Sequence, residues 1–391
     1  MKLRMLTALA AVVGLAAGVA GLADGALAQA KGDPIRIPHM TTFSGSAASW
    51  GETMLKAAQI AAAMVNEKGG VKGRPIEFYA EDAPYDNMPN AMTTVKKVAR
   101  DPNTLLVFDC GGATTVVAAA HDVMGEAKLP CFGFSSAGHW RRAEFNPYVF
   151  RLLPQVATSM PVLMPKVLKK HNIKTAGLAF TNNDEAPVAN ARIYRELAAK
   201  FGVKLVEVSG QLKEPEYRAQ VTKLKSENVE LIIMSMQPED IAQFIRQARE
   251  GGMNQPLLGE ASLTDRNVKA GAKGRIGLAY THGIYDPTDP RPYVQNFVAR
   301  FKKEVGKDPG PFEAIAGDAA FIVAEIMNKA EKLDRESIRK AWAATTSIQT
   351  FTGNVGWNGS GEALRQGLLI QMYDKDENIV NVPDSYWGTG S

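Results

Sequence analysis

Short apolar runs alternate with longer segments in which apolar residues recur every three to four positions. The short runs predict buried β-strands and the longer segments predict amphipathic helices. The first pair is a strand at residues 35–39 and a helix at residues 50–68, which ends at Gly69 and Gly70. A repeated βα alternation predicts a parallel sheet with helices on both faces.

The same alternation continues through most of the chain. Further strands are predicted at residues 76–81, 105–110, 131–134, 176–180, 204–208, 231–236, 257–259 and 278–285, and further helices at residues 88–100, 114–128, 159–171, 187–201, 217–227 and 239–250. The alternation is interrupted at residues 148–154, where a predicted strand follows a loop instead of a helix and ends at Pro154. After a turn-rich break at residues 286–290 come three helices and a β-rich tail, predicted at residues 292–305, 312–332, 335–345, 368–373 and 379–382.

These changes of rhythm predict two lobes rather than one domain. The fold class is therefore α/β, with two doubly wound parallel-sheet lobes joined by a hinge of three segments. A chain of about 360 residues after the leader also exceeds what one hydrophobic core usually serves. We expect residues 31–153 and 284–351 in the first lobe, and residues 154–283 and 352–391 in the second. The hinge segments are expected at residues 152–155, 281–285 and 351–354.

Residues 1–30 have the order of a secretory signal peptide: Lys2 and Arg4, an apolar run, and small residues that end in Ala28 and Ala30. The protein is therefore expected to be exported. The rest of the chain mixes Lys and Arg with Asp and Glu, and the formal net charge is only +4. This interspersed pattern lacks the basic patch of a nucleic-acid-binding protein.

Cys110 and Cys131 are the only cysteines. Export favours a disulfide, but the two residues lie at opposite ends of strands predicted to be neighbours. An offset of about four residues would place them roughly 13 Å apart, beyond the ~7 Å limit between bridged Cα atoms. We therefore expect two buried free thiols, unless the strands are not neighbours.

Loops that follow the strands of the first half are rich in small residues. In open parallel sheets ligands bind at the carboxyl ends of the strands, and Gly, Ser and Ala let backbone N–H groups approach an anion. The candidates are Ser44, Cys110, Gly111, Gly112, Ser135, Ser136 and Ala137. Ser49 and Glu52 have capping-box spacing, which favours an anion near the helix start but also suits an ordinary βα turn. Trp50 adds a large apolar surface beside this loop.

The corresponding loops of the second half contain polar and acidic residues. The candidates here are Asp184, Ala186 and Gln237, together with Glu260 at the end of the strand at residues 257–259. Glu260 could pair with a ligand ammonium, and the alternative is a helix-capping or solvated carboxylate.

Motifs of enzymes are missing from the sequence. The segment from Gly133 to Gly138 has its second Gly one residue too late for a nucleophile elbow, and no Gly-rich nucleotide loop follows the first strand. The five His residues lack metal-ligand spacing. We therefore expect neither catalysis, nor a metal, nor a cofactor.

Several segments together resemble the leucine/isoleucine/valine-binding protein family, which comprises the periplasmic receptors of ABC importers with the two-lobed type I binding fold. They are FSGSAASWG at residues 43–51, NEKGGVKGRP at 66–75, FSSA at 134–137, FIRQARE at 244–250 and YDP at 285–287, the last of which contributes Tyr285 as a candidate. The resemblance covers nearly the whole chain after the leader.

The resemblance implies a monomeric periplasmic receptor that binds a small carboxylate and delivers it to an inner-membrane permease. Ser135, Ser136 and Ala137 match the loop that holds the ligand carboxylate, Glu260 matches the acid that holds the ammonium, and Trp50 stands where the family often has Tyr. Two loops depart from the pattern: the loop of Cys110, Gly111 and Gly112 has Gly where many members have a contacting Ser, and Ala186 lies where many have an aromatic residue. The ligand could therefore be a branched-chain or related amino acid, an aromatic or longer carboxylate, or an amide. An enzyme using the same cleft and a sensory domain of the same fold are the rival functions.

Overall fold

The computed structural model describes residues 29–45, 48–84, 86–110, 114–134, 146–153, 156–357, 361–366 and 369–388. The expected signal peptide lies outside these residues except for its last two positions. Within the described residues, no helix combines the length and apolar character that a membrane crossing requires.

The first sheet has five strands, which are β1 (Ile35–Thr41), β2 (Ile76–Asp82), β3 (Val107–Phe108), β4 (Cys131–Gly133) and β5 (Val149–Arg151). Their order is β2-β1-β3-β4-β5 and every pair is parallel. The intervening helices are α1 (Ala48–Asn66), α2 (Met88–Arg100) and α3 (Thr114–Glu126). Separate apolar clusters cover the two faces of this sheet, as a doubly wound fold requires.

The second sheet repeats this design with β6 (Thr175–Thr181), β7 (Lys204–Gly210), β8 (Leu231–Ser235), β9 (Leu257–Gly259) and β10 (Ala279–Gly283). The order β7-β6-β8-β9-β10 matches that of the first sheet, and these pairs are parallel too. The helices are α4 (Val156–Lys170), α5 (Glu185–Lys200), α6 (Arg218–Ser226), α7 (Pro238–Glu250) and α8 (Arg266–Ala272). The predicted α/β fold with two parallel-sheet lobes is confirmed.

After β10 the chain returns to the first sheet. Three helices, α9 (Pro292–Val305), α10 (Pro311–Lys329) and α11 (Arg335–Ala343), lead into three antiparallel strands, β11 (Ile348–Thr350), β12 (Gly353–Trp357) and β13 (Ala363–Gln366). The last two strands, β14 (Leu369–Tyr373) and β15 (Ile379–Asn381), extend the second sheet antiparallel at β10.

The strands β11 to β13 were not predicted, and they change where the chain crosses. Val355 and Trp357 belong to the apolar core that α1 and α10 share with the first sheet, whereas residues 352–391 were expected in the second lobe. The third crossing therefore lies between β13 and β14, and the expected hinge at residues 351–354 lies inside the small antiparallel sheet instead. The cause is packing, because Trp342 holds Trp357 in an edge contact at 5.2 Å between ring centroids.

The expectation of two free thiols is wrong, because Cys110 and Cys131 form a disulfide with their Cα atoms 5.6 Å apart. Strand β3 ends at Phe108, so Cys110 is not the last residue of a straight strand. Asp109 and Cys110 have φ values of 67° and 26° and turn the chain out of the extended path that the 13 Å estimate assumed. The strands are neighbours, with Val107 opposite Cys131, but the turn brings the sulfurs together.

Candidate functional site

Both sheets have a topological switch point, where successive connections leave in opposite directions. It lies between β1 and β3 in the first sheet and between β6 and β8 in the second. Crevices outside the carboxyl ends of strands at such points are the usual ligand sites of open α/β sheets. The loops selected from the sequence at residues 41–49, 109–114, 182–186 and 236–238 follow these four strands.

Asp184 and Gln237 meet across the switch point of the second sheet. The Gln237 side chain donates a hydrogen bond of 2.6 Å to Oδ2 of Asp184, and Oδ1 of Asp184 accepts one from the backbone of Ala186 at 3.3 Å. Asp184 is the N-cap of α5 and Gln237 is the N-cap of α7. The capping bond fixes Asp184 at the carboxyl edge. Gln237 makes no side-chain capping bond and is held there by its bond to Asp184 instead.

Glu260 directly follows β9 and is held at three points. Its Oε1 accepts a hydrogen bond from the Ser235 hydroxyl at 2.9 Å, and its Oε2 accepts one from the Asn190 amide at 2.9 Å. Its backbone carbonyl accepts a bond of 2.7 Å from Thr281 on β10. The carboxylate is therefore fixed in position and orientation beside Asp184.

Burial raises the pKa of the Glu260 carboxyl to about 7; the bonds from Ser235 and Asn190 act against this rise, and the charge of Asp184 adds to it. No Lys, Arg or His among the described residues forms an ion pair with either Glu260 or Asp184. The edge of the second sheet consequently presents acceptors and negative charge without a matching cation, and it suits a ligand group that donates several N–H bonds.

Asn190, Ser235 and Tyr194 belong to this group and were missed in the sequence. Ser235 ends β8, one residue earlier than the predicted strand end, so a stricter strand boundary would have selected it. Asn190 and Tyr194 lie at four-residue intervals after Ala186 on α5, and both are buried. A polar residue within the buried face of a predicted helix was the available signal.

The first lobe contributes an aromatic wall. The Trp50 ring lies 6.4 Å from the Phe134 ring and 6.0 Å from the Phe312 ring, both as edge contacts. Phe134 immediately precedes the expected carboxylate loop, and Trp50 is only partly buried. A ligand between the two lobes could therefore reach an apolar surface at this wall.

The start of α1 differs from the capping-box prediction. The helix begins at Ala48, so Ser49 lies in its first turn instead of at the N-cap. Gly51 has a separate role: any Cβ at this position would overlap the carbonyl of Thr42, so only glycine lets the helix approach the end of β1 this closely.

Ser44, Cys110 and Tyr285, the remaining candidates in the described residues, form no hydrogen bond with Glu260. Ser44 is exposed and lines an open cavity of about 380 Å³ with Asp82, Asp86 and other residues around the start of α2. The side chain of Cys110 is engaged in the disulfide, which leaves only its backbone for a ligand. Tyr285 is buried in the core of the first sheet, and its carbonyl accepts a bond of 2.9 Å from Gln371. Gly111, Gly112, Ser135, Ser136 and Ala137 lie outside the described residues.

One buried His–Asp pair adjoins the disulfide. Nε2 of His39 lies 3.6 Å from Oδ2 of Asp109, too far for a hydrogen bond. Burial lowers the pKa of His39 to about 3, so its imidazole is uncharged at neutral pH, and burial also raises the pKa of Asp109 well above its ordinary value. Among the described residues, no three His, Cys, Asp or Glu side chains cluster in a way that could hold a metal ion.

Comparison with known proteins identifies the family. The model of the periplasmic binding protein family matches residues 34–378, and the chain therefore belongs to this family. Its members are substrate-binding proteins of transporters, in agreement with the family predicted from the sequence.

Two curated relatives align over nearly their whole length. A leucine-, isoleucine-, valine-, threonine- and alanine-binding protein of Pseudomonas aeruginosa is 21% identical over 373 residues, which cover 94% of this chain and 96% of the relative. A Leu/Ile/Val-binding protein homolog of Brucella melitensis is 24% identical over 399 residues, with coverages of 95% and 96%.

Solved structures share the fold. A branched-chain amino acid transporter substrate-binding protein from Streptococcus pneumoniae in complex with isoleucine superposes with a TM-score of 0.78 at 19% identity, covering 90% of this chain and 99% of that one. A solute-binding protein of an ABC transporter from R. palustris in complex with benzoate gives a TM-score of 0.77 at 18% identity, with coverages of 90% and 96%. Proteins of this fold thus bind both amino acids and aromatic acids.

Proposed function

We propose that this protein is the periplasmic receptor of an ABC importer and binds a small amino acid with an apolar side chain between its two lobes. The observation that carries the proposal is Glu260, whose carboxylate is fixed by Asn190 and Ser235 and has no described cationic partner. The α-ammonium group of an amino acid would supply the positive charge that pairs with this carboxylate and would donate further N–H bonds to it. The curated relatives named for leucine, isoleucine and valine support this choice of ligand.

The two-lobed architecture supports a receptor that closes on its ligand. A ligand that contacts both lobes binds the closed form more tightly and shifts the population toward it. The described residues include one ion pair between the lobes, from Arg266 on α8 to Glu313 on α10. The closed monomer would then present both lobes to an inner-membrane permease. Small-angle scattering should show a smaller radius of gyration with saturating ligand.

An aromatic acid is the second candidate ligand. Trp50, Phe134 and Phe312 form a wall onto which a planar ring could pack. Ala186 leaves space on the second lobe, where many relatives are expected to have an aromatic residue. A benzoate-type ligand has no ammonium, so Glu260 would face it as a neutral carboxyl group.

Calorimetric titration of wild type and Glu260→Gln with leucine and with benzoate separates the two candidates. If the ligand is an amino acid, Glu260→Gln should cost about 1.5–3 kcal/mol, or roughly ten- to a hundredfold in leucine affinity, because a charge-assisted hydrogen bond is lost. If the ligand is benzoate, the change should be neutral or favourable, since Gln is uncharged like the protonated carboxyl group and needs no proton uptake to stay so above pH 7.

The matched control is Glu227→Gln, which alters an exposed carboxylate of the same lobe that pairs with Lys204 at 2.8 Å. It should leave the affinity unchanged. Tight leucine binding that Glu260→Gln does not affect would remove Glu260 from the ammonium site. Native mass spectrometry of the freshly purified protein tests for a retained physiological ligand independently of these probes.

A further inference from the structure

Each oxygen of the Glu260 carboxylate has one donor, and the two donors come from different elements. Ser235 lies at the end of β8 and Asn190 lies on α5; both residues are 1% exposed. Ser235 also lies 3.3 Å from the carbonyl of Pro187, a longer contact than its 2.9 Å bond to Glu260. A carboxylate held on both oxygens by buried donors cannot rotate without breaking at least one bond.

We propose that Asn190 and Ser235 are positioning residues that keep Glu260 oriented and ionised for a cationic ligand group, and that they thereby set the pH range over which the second lobe binds it. The proposal rests on the function proposed above. Neither residue needs to touch the ligand, because both act through the carboxylate.

The ionisation of Glu260 depends on these two donors because of what surrounds its carboxylate. The charge of Asp184 opposes the ionisation of Glu260, and the charge of Glu260 in turn helps to raise the pKa of the buried Tyr194 hydroxyl. The Tyr194 hydroxyl has no hydrogen-bond partner among the described residues. From β10 the neutral Thr281 hydroxyl donates a hydrogen bond to the backbone carbonyl of Glu260. Ser235 and Asn190 are thus the donors that favour the ionised form, and the loss of either should raise the pKa of Glu260.

The test begins without ligand, by ¹³C NMR titration of the glutamate carboxyl groups, with Glu260→Gln identifying the signal. In wild type Glu260 should titrate near pH 7. In Ser235→Ala and Asn190→Leu, each of which keeps one of the two donors, its pKa should rise toward the roughly 8–9 that buried glutamates reach. Ser235→Thr keeps a hydroxyl and should titrate as wild type does. Ser209→Ala removes a hydroxyl that bonds Asn182 and should change nothing.

The second measurement is leucine affinity at pH 6, 7, 8 and 8.5. Ser235→Ala should bind leucine roughly tenfold more weakly at pH 7, and the deficit should shrink at pH 8.5 as Glu260 ionises. A merely structural role would lower affinity equally at every pH. If Asn190→Leu fails to fold, Ser235→Ala and Ser235→Thr still differ only by one methyl group and the hydroxyl.

Unchanged Glu260 titration in Ser235→Ala and Asn190→Leu would overturn the proposal. If the titration shifts as expected but wild type does not bind leucine, the positioning role stands and the proposed ligand class fails. If leucine binds with a deficit that is constant from pH 6 to pH 8.5 in Ser235→Ala, the ligand class stands and the positioning role fails.

Discussion

The guanidinium of Arg365 donates a hydrogen bond of 2.8 Å to the backbone carbonyl of Leu152. Leu152 lies where the chain first leaves the first sheet, and Arg365 lies on β13 just before the third crossing. The same guanidinium bonds the Thr352 hydroxyl at 2.5 Å and lies 3.9 Å from the carboxylate of Asp318, with both charged side chains almost fully buried. One side chain thus ties two crossings of the hinge to helix α10.

Arg365→Met should therefore destabilise the protein strongly. Removing one partner of a buried pair leaves Asp318 uncompensated and the Leu152 carbonyl unpaired, which costs about 3–5 kcal/mol. Urea unfolding measures the loss. Arg275→Met is the matched control, because Arg275 pairs with Glu250 at the surface and should contribute about 0–1 kcal/mol. Equal unfolding free energies for the two variants would contradict the role of Arg365.

Leucine affinity should depend on pH through Glu260. The ammonium group pairs with the ionised carboxylate, whose pKa is about 7 in the unligated protein. Affinity should fall about tenfold from pH 8 to pH 6, as the ionised fraction falls from about nine-tenths to one-tenth. Calorimetry at constant ionic strength checks this, and a flat profile in wild type would exclude Glu260 as the titrating group.

Glu260 should also make the stability of the unligated protein depend on pH, but in the opposite sense to leucine affinity. The folded pKa of Glu260 lies above its ordinary value of 4.5, so between about pH 4.5 and 7 the folded form keeps a proton that the unfolded chain has lost. Through this group, the stability of the unligated protein falls as pH rises over that window. Glu260→Gln should therefore have the higher melting temperature at pH 8 and lose this advantage near pH 4.5.

Trp50→Ala should weaken binding of either ligand class, by about 1–2 kcal/mol, because an apolar contact surface is lost. Benzoate should suffer more than leucine, since an aromatic ring also stacks on the indole. Trp50→Tyr keeps a ring and should retain most of the affinity.

Trp387→Ala serves as the control for Trp50, because Trp387 packs on Tyr280 and Tyr386 in the core of the second sheet. Trp387→Ala should lower the melting temperature. The affinity measured by calorimetry on the folded variant should be unchanged. Unchanged affinity of Trp50→Ala for both leucine and benzoate would place the indole outside the site.

The disulfide between Cys110 and Cys131 closes a short loop, with a sequence separation of 21. The chain-entropy model assigns such a loop about 3 kcal/mol of stability. Cys110→Ala/Cys131→Ala should lose about this amount in urea unfolding. Iodoacetamide should label no thiol in the denatured, unreduced protein and two after reduction; labelling of two thiols without reductant would restore the free-thiol prediction.

Local patterns in the sequence determined the βα series, because the period of the apolar residues records which face of each strand or helix is buried. They also selected Glu260, Asp184 and Gln237, since residues directly after parallel strands must lie at one edge of the sheet. The family followed from short segments that no fold rule explains, and the match over residues 34–378 confirms it.

Three features were decided only by tertiary structure. The turn at Asp109 brings Cys110 to Cys131, and a strand pattern does not encode where the chain leaves the extended path. Trp357 joins the core of the first sheet because it packs on Trp342, which lies on another element. Asn190 reaches Glu260 across 70 positions of sequence. Periodicity specifies which face of an element is buried, but the partner buried against it depends on contacts between distant parts of the chain.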